Sequence, residues 1–284
     1  MIELGRYRIA AVQDGTFAFD GGAMFGIVPK PLWEKQFLPD ARNRIRLAAR
    51  CLLVIDRETR RRILVDDGMG DAWDEKQREI YAIEKAGGRL CDGLQALSLS
   101  PNEITDVILT HLHFDHAGGT TVRDAQGQVE LAFPNADYHL QRRHWQWAHA
   151  PSERDAGSFI EETFELLQRS NRLHLLDGEG EIFPDIELIV SEGHTVALQL
   201  PRIHCENTHL TFCGDLVPTR AHIQVPWGTS YDLYPLTSIE EKKMMLAQAL
   251  EDGGTLVFGH DAEVAACRLG ERDGAPVFQE VVAL

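Results

Sequence analysis

The segment THLHFDHAGG, residues 110–119, places His111, His113, Asp115 and His116 within six positions. No other stretch limits the fold as strongly. Imidazoles this close repel one another when protonated, and each ring nitrogen buried without a partner carries a desolvation cost. A shared metal ion would make the crowding favourable. His111 and His113 are two apart, so they face one side of an extended chain. Gly118 and Gly119 let the backbone pass close to whatever sits there.

The surroundings of this cluster repeat one theme. Four short apolar runs each end in a potential ligand: VILT delivers His111, LIVSEG delivers His194, LTFCG delivers Asp215 and LVFG delivers His260. Short apolar runs bounded by turn formers read as buried strands. Strand ends are rigid points where sites are typically built. Five histidines and two carboxylates exceed the needs of one tetrahedral ion and suit two ions with open positions. Imidazole and carboxylate without thiolate suit zinc first, and also iron, manganese or cobalt. Two ions about 3.5–4 Å apart lower the pKa of a bridging water and clamp the reacting oxygens. His139, His144, His149, His174, His204 and His209 lack this context and read as core or turn residues.

The rest of the chain alternates strands and helices. YRIAAVQ reads as a strand, and RCLLVIDRETRRRILVDDG as a hairpin with a solvated tip. A helix-compatible stretch follows at about 73–97. ADYHLQ (136–141) is an expected strand, and helical patterns cover about 141–149 and 158–169. ALQLPRI and HLTFCGD form an expected strand pair. SIEEKKMMLAQALEDGG (238–254) reads as a helix with a capping box of Ser238 and Glu241 and a stop at Gly253. No linker or short repeat divides the 284 residues, so one domain over 1–284 is expected. Two sheets packed together with helices outside would satisfy all the apolar runs.

Charge and cysteine usage narrow the function. The formal net charge is −16 and no Lys/Arg block stands out, which argues against a nucleic-acid partner. No apolar run approaches bilayer length and no signal segment is visible, so a cytoplasmic protein without a membrane partner is expected. The five cysteines, Cys51, Cys91, Cys205, Cys213 and Cys267, are scattered and form no CxxC pair. They read as free thiols.

THLHFDHAGG, with EGHT, FCGD and FGHD, resembles the metallo-β-lactamase superfamily. The resemblance runs from about residue 63 to His260. It implies an αββα four-layer sandwich of two mixed sheets with helices on the outer faces. It also implies that His111, His113 and His194 hold one ion, that Asp115, His116 and His260 hold the other, and that Asp215 bridges both. Asp66, in VDDG, matches an aspartate that orients a ligand histidine; a plain turn residue is the alternative. Asp215 points to the dinuclear hydrolases, and His113 stands where di-iron redox members carry glutamate. The third motif departs from the common GHTPGH and reads GHTVALQ.

DGGAMFGIVPKPLWEK and HIQVPWGTSYDLYPL look like loops of a branch containing lactonases and organophosphate hydrolases. Met24, Phe25, Trp33, His222, Trp227, Tyr231 and Tyr234 are candidates for the wall of an apolar substrate pocket; loop packing or a homodimer contact is the alternative. The expected reaction is hydrolysis by a hydroxide bridging two divalent ions. The expected substrate is a small apolar ester or lactone of the acyl-homoserine-lactone type. Asp115 is the expected proton carrier and Tyr231 an expected oxyanion donor. Phosphotriester or thioester hydrolysis on the same site, and a mono-iron sulfur dioxygenase, are the rival readings.

Overall fold

The computed structural model describes residues 1–84 and 89–284. β1 (Ile2–Leu4), β2 (Tyr7–Asp20), β3 (Arg44–Asp56), β4 (Arg62–Val65) and β5 (Asp106–Ile108) lie side by side in chain order. The first four are antiparallel, and β5 joins β4 in parallel. A ribbon of β6 (Thr121–Arg123) and β7 (Val129–Leu131) intervenes. β8 (Asp137–Gln141) and β9 (Leu173–Leu176) then extend the first sheet in parallel.

The second sheet runs β10 (Gly180–Phe183), β11 (Ile186–Ser191), β12 (Leu198–Cys205), β13 (Thr208–Phe212), β14 (Thr255–Val257), β15 (Ala266–Arg272) and β16 (Ala275–Val282). Only β13 and β14 pair in parallel, and the connection between them carries the helix Pro235–Glu251. A parallel pair needs such a crossover, whereas antiparallel neighbours close with short turns.

Apolar side chains explain the layering. Ile9, Leu52, Val54, Ile63, Val65 and Ile108 of the first sheet meet Leu188, Ile203, Leu210, Phe212 and Val257 of the second. The outer face of the first sheet packs Leu53, Leu64, Val107 and Tyr138 on helix residues Leu94, Trp145, Phe164 and Leu167. The outer face of the second packs Leu198, Leu200 and Leu256 on Met245, Leu246 and Ala249. The result is the αββα sandwich with two mixed sheets. Phe212 is wholly buried between the sheets, and truncating such a ring costs about 3–5 kcal/mol. Packing of that strength anchors the strand end that leads to Asp215.

Three local expectations change. The stretch at 73–97 forms two helices, Glu75–Tyr81 and Leu90–Ala96, and residues 85–88 of it lie outside the described residues. The late helix begins at Pro235, three residues before Ser238, because proline pre-sets the first-turn φ and needs no N–H partner. Ser238 and Glu241 therefore make no capping box. Glu241 instead accepts from Ser191 Oγ (2.6 Å) and from the amides of Glu192 (2.8 Å) and Gly193 (3.2 Å). It holds the turn that delivers His194. None of the five cysteines is in a disulfide, and Cys205 faces Thr208 across the β12–β13 ladder.

Candidate metal centre

His111, His194, Asp215 and His260 are each the third residue beyond the end of a strand, namely β5, β11, β13 and β14. His113 precedes the short helix Phe114–Ala117, which carries Asp115 and His116. That turn packs tightly. A Cβ on Gly118 would lie 2.3 Å from the Phe114 carbonyl oxygen and 2.4 Å from that of Met69, so only glycine fits. The parallel pairs β4–β5 and β13–β14 thus point their C-terminal ends at one region from two sheets.

Two donor sets meet there: His111, His113, His194 and Asp215, and Asp115, His116, His260 and Asp215. Within each set the ligand atoms lie within 4.8 Å of one another. Asp215 belongs to both. Its Oδ2 is 3.2 Å from His194 Nε2 and 4.0 Å from His111 Nε2. Its Oδ1 is 3.0 Å from His260 Nε2 and 3.2 Å from His116 Nε2. Asp115 Oδ2 is 3.4 Å from His260 Nε2.

The outer ring nitrogens determine which tautomers point inward. His260 Nδ1 lies 2.9 Å from the Ala48 carbonyl oxygen, which can only accept, so that nitrogen carries the proton. His116 Nδ1 donates to Asp66 Oδ2 (2.8 Å) and His194 Nδ1 to Asp232 Oδ1 (3.0 Å). Thr110 Oγ1 donates to Asp66 Oδ2 (2.9 Å) and so accepts from His111 Nδ1 (3.0 Å). In their neutral forms all four rings direct an Nε2 lone pair inward. His116 Nε2 and His260 Nε2 are only 2.9 Å apart, and His194 Nε2 is 3.3 Å from His113 Nδ1. His111 Nε2 and His113 Nε2 are buried with no hydrogen-bond partner among the described residues. Opposed lone pairs at these distances repel unless a proton or a metal ion lies between them. The donor set fits two divalent ions.

The electrostatics of the side chains alone agree. Burial and the neighbouring imidazoles push His111 and His113 well below the usual histidine range. Burial also opposes a charge on His116, but Asp215, Asp115 and Asp66 outweigh it and raise that ring well above the usual range. Burial opposes a charge on Asp215 as well, yet His116, His260 and His194 hold its carboxyl well below the ordinary value. In the absence of metal a proton on His116 does part of a cation's work, and metal binding would release it.

A cavity of about 90 Å3 opens over the cluster, with His113, Asp115, His194, Asp215 and His260 on its floor. Phe19, Met24, Tyr81, Phe114, Ser158, Thr229 and Tyr231 form its walls. Of the expected pocket residues, Met24 and Tyr231 reach it. Phe25 and Trp33 are fully buried and stacked at 5.4 Å, with Trp227 edge-on to Phe25 at 5.6 Å. They support the wall from behind. His222 stacks on Phe25, pairs with Thr219 Oγ1 (2.8 Å) and the Met24 carbonyl (2.9 Å), and borders a neighbouring cavity of about 330 Å3. Tyr234 is half exposed at the start of the late helix, outside the cavity wall.

Three features escaped the sequence reading. Phe19, Tyr81 and Phe114 meet around the cavity only because β2, the helix Glu75–Tyr81 and the ligand turn converge. Asp232 backs His194 from a segment read only for its aromatics. His144, read as a core residue, accepts from the Leu112 amide (2.8 Å) and donates to the Val196 carbonyl (2.8 Å). It ties the turns of His113 and His194 together, and burial pushes it down to about 4, so it stays neutral. Asp66, whose alternative was a plain turn residue, takes both the Thr110 amide (2.7 Å) and His116 Nδ1.

An enzyme with this sandwich and these paired donors stands among the dinuclear metal-dependent hydrolases, and comparison with known proteins agrees. The family model of the metallo-beta-lactamase superfamily matches residues 46–260, and the chain belongs to that superfamily. A solved structure from Staphylococcus aureus, described as a probable metal-dependent hydrolase, is 30% identical, with a TM-score of 0.87 over 99% of this chain and 100% of its own. An N-acyl homoserine lactonase of Bacillus cereus is 24% identical over 233 residues, which is 78% of this chain and 82% of the relative. AidC, a dizinc quorum-quenching lactonase, shares the fold at a TM-score of 0.80 and 22% identity, over 100% of this chain and 97% of its own. Among the described residues no helix is long and apolar enough to cross a membrane.

Proposed function

We propose that the protein is a dinuclear lactonase or esterase, with zinc as the first candidate metal and a small apolar lactone of the acyl-homoserine-lactone type as substrate. The observation that carries this reading is the small aromatic-walled cavity lying directly over two donor sets that share Asp215. The lactonase relatives support it. His111, His113 and His194 with Asp215 would hold one ion, and Asp115, His116 and His260 with Asp215 the other. When bound, the ions supply a nucleophile at neutral pH and Lewis acidity toward the carbonyl oxygen.

The chain's own groups do the rest. Phe19, Met24, Tyr81 and Phe114 exclude water and hold the apolar part of the substrate. Asp115 sits on the cavity floor and can take a proton from the attacking water. The same carboxyl can return it to the ring oxygen as the acyl C–O bond breaks. Burial and the nearby Asp115 raise the Tyr231 phenol, so it remains a hydrogen-bond donor throughout the working pH range. It can donate to the developing oxyanion.

Tyr231→Phe is expected to lower kcat by about 100-fold, the scale of one lost oxyanion donor, with metal content unchanged. Equal kcat and KM in the variant would assign the ring to packing alone. The reaction itself is tested in a pH-stat with an acyl-homoserine lactone. Each ring opening yields a hydroxy acid and releases one proton at neutral pH. Fast release that a chelator abolishes is the expected result. No release from protein loaded with two ions would exclude this substrate class.

A further inference from the structure

We propose that Asp232 is the positioning residue for the first ion position and that the segment 225–234 joins that position to the substrate cavity. The inference rests on the metal reading of the two donor sets and is independent of the substrate.

Asp232 and His194 are both buried, and Asp232 Oδ1 receives His194 Nδ1–H at 3.0 Å. The same oxygen accepts from Thr229 Oγ1 at 2.9 Å. This leaves His194 Nε2 as a lone pair facing Asp215. A carboxylate behind a ligand histidine fixes its tautomer and ring angle and raises its basicity. The two donor sets are then alike in build. In one, Asp66 backs His116; in the other, Asp232 backs His194. Of the other rings, His111 rests on the Thr110 hydroxyl and His260 on the Ala48 carbonyl, both weaker acceptors.

The backbone makes this link stiff. Leu233 N donates to the His194 carbonyl (3.1 Å) and Tyr234 N to the Gly193 carbonyl (2.8 Å), which zips the two segments together. The buried Lys242 ammonium holds the Gln224 and Trp227 carbonyls from behind. Arg154 clips the Ser230 and Asp232 carbonyls from outside. Tyr231 and Thr229 of the same segment wall the cavity. A substrate pressing on that wall therefore bears on the residue that orients His194.

The test titrates chelator-stripped protein with Zn2+ against a chelating indicator, for wild type, Asp232→Asn, Asp232→Glu and Thr229→Val. Wild type is expected to take two ions. Asp232→Asn should weaken one of them by about 10–100-fold, the usual loss when a ligand histidine loses its carboxylate partner. The other ion, beside His116 and Asp66, should keep its affinity. Asp232→Glu should recover part of the loss. Thr229→Val should show a smaller loss at the same ion, and it decides the matter if Asp232→Asn does not fold. Wild-type affinity for both ions in Asp232→Asn and Thr229→Val overturns the proposal. So does an equal weakening of both ions with a lower Tm of the chelated variant, which marks a general structural role. Failure of the wild type to bind two ions would instead overturn the metal reading on which the inference rests.

Discussion

Asp215→Ala is expected to lower kcat/KM by about three orders of magnitude or more and to leave at most one tightly held ion per chain. Asp215 is the one residue common to the two donor sets, and its two oxygens face different histidines: Oδ2 toward His194 and His111, Oδ1 toward His260 and His116. Removing it takes an anion from both sets at once. The loss would exceed that of a single ligand deletion because paired ions held there would act as a unit, and groups that act as a unit are not additive. Metal analysis after gel filtration, together with initial rates on a lactone, measures both effects. Near-wild-type turnover with two ions bound would remove Asp215 from the bridging position.

Chelation is expected to lower the thermal midpoint by roughly 8–16 °C, and added Zn2+ to restore it. A ligand present at about a thousand times its Kd stabilises the native state by ~4 kcal/mol, and each kcal/mol moves Tm by about 2–4 °C in a chain of this class. The effect should be larger at pH 8.5 than at pH 6. His116 and His194 are raised above the ordinary histidine value by Asp215 and their other carboxylates, against burial. A raised group stabilises the chelated protein below its unfolded pKa, and that contribution fades as pH rises through the folded pKa. At low pH a proton on His116 therefore substitutes in part for the ion, and it does so less as pH rises through the raised value of that ring, where the opposed Nε2 atoms of His116 and His260 lose what lies between them. Scanning fluorimetry with and without chelator at the two pH values measures this. A Tm indifferent to chelator at both would sink the claim that the cluster needs a cation.

The ligand residues were legible because their signal is local and chemical. Four imidazole or carboxylate groups within 111–116, and three more directly after apolar runs, are visible without knowing any tertiary contact. The sandwich was legible for a related reason: strands buried on both faces read as short apolar runs, as β5 and β14, buried at every residue, do. The helix start was misread because Ser238 and Glu241 match a capping box in spacing, while Pro235 upstream had already set the first turn.

The wall of the cavity was legible only in part. Phe25, Trp33 and Trp227 stand in the right loops but turn away from the cavity, whereas Phe19, Tyr81 and Phe114 carry no mark in the sequence and reach it. Side-chain direction in a loop follows from which distant element it packs on, and no periodicity encodes that.

By itself, then, the sequence determined the layered fold, the ion-binding chemistry and the strand ends that supply it, because hydrophobic period and ligand type are properties of neighbouring residues. Only the tertiary structure decided which aromatic rings line the cavity over the donor sets and that Asp232, 38 residues downstream, backs His194. Those depend on how β2, the ligand turn and the 225–234 segment converge, and such convergence is set by packing across the whole core.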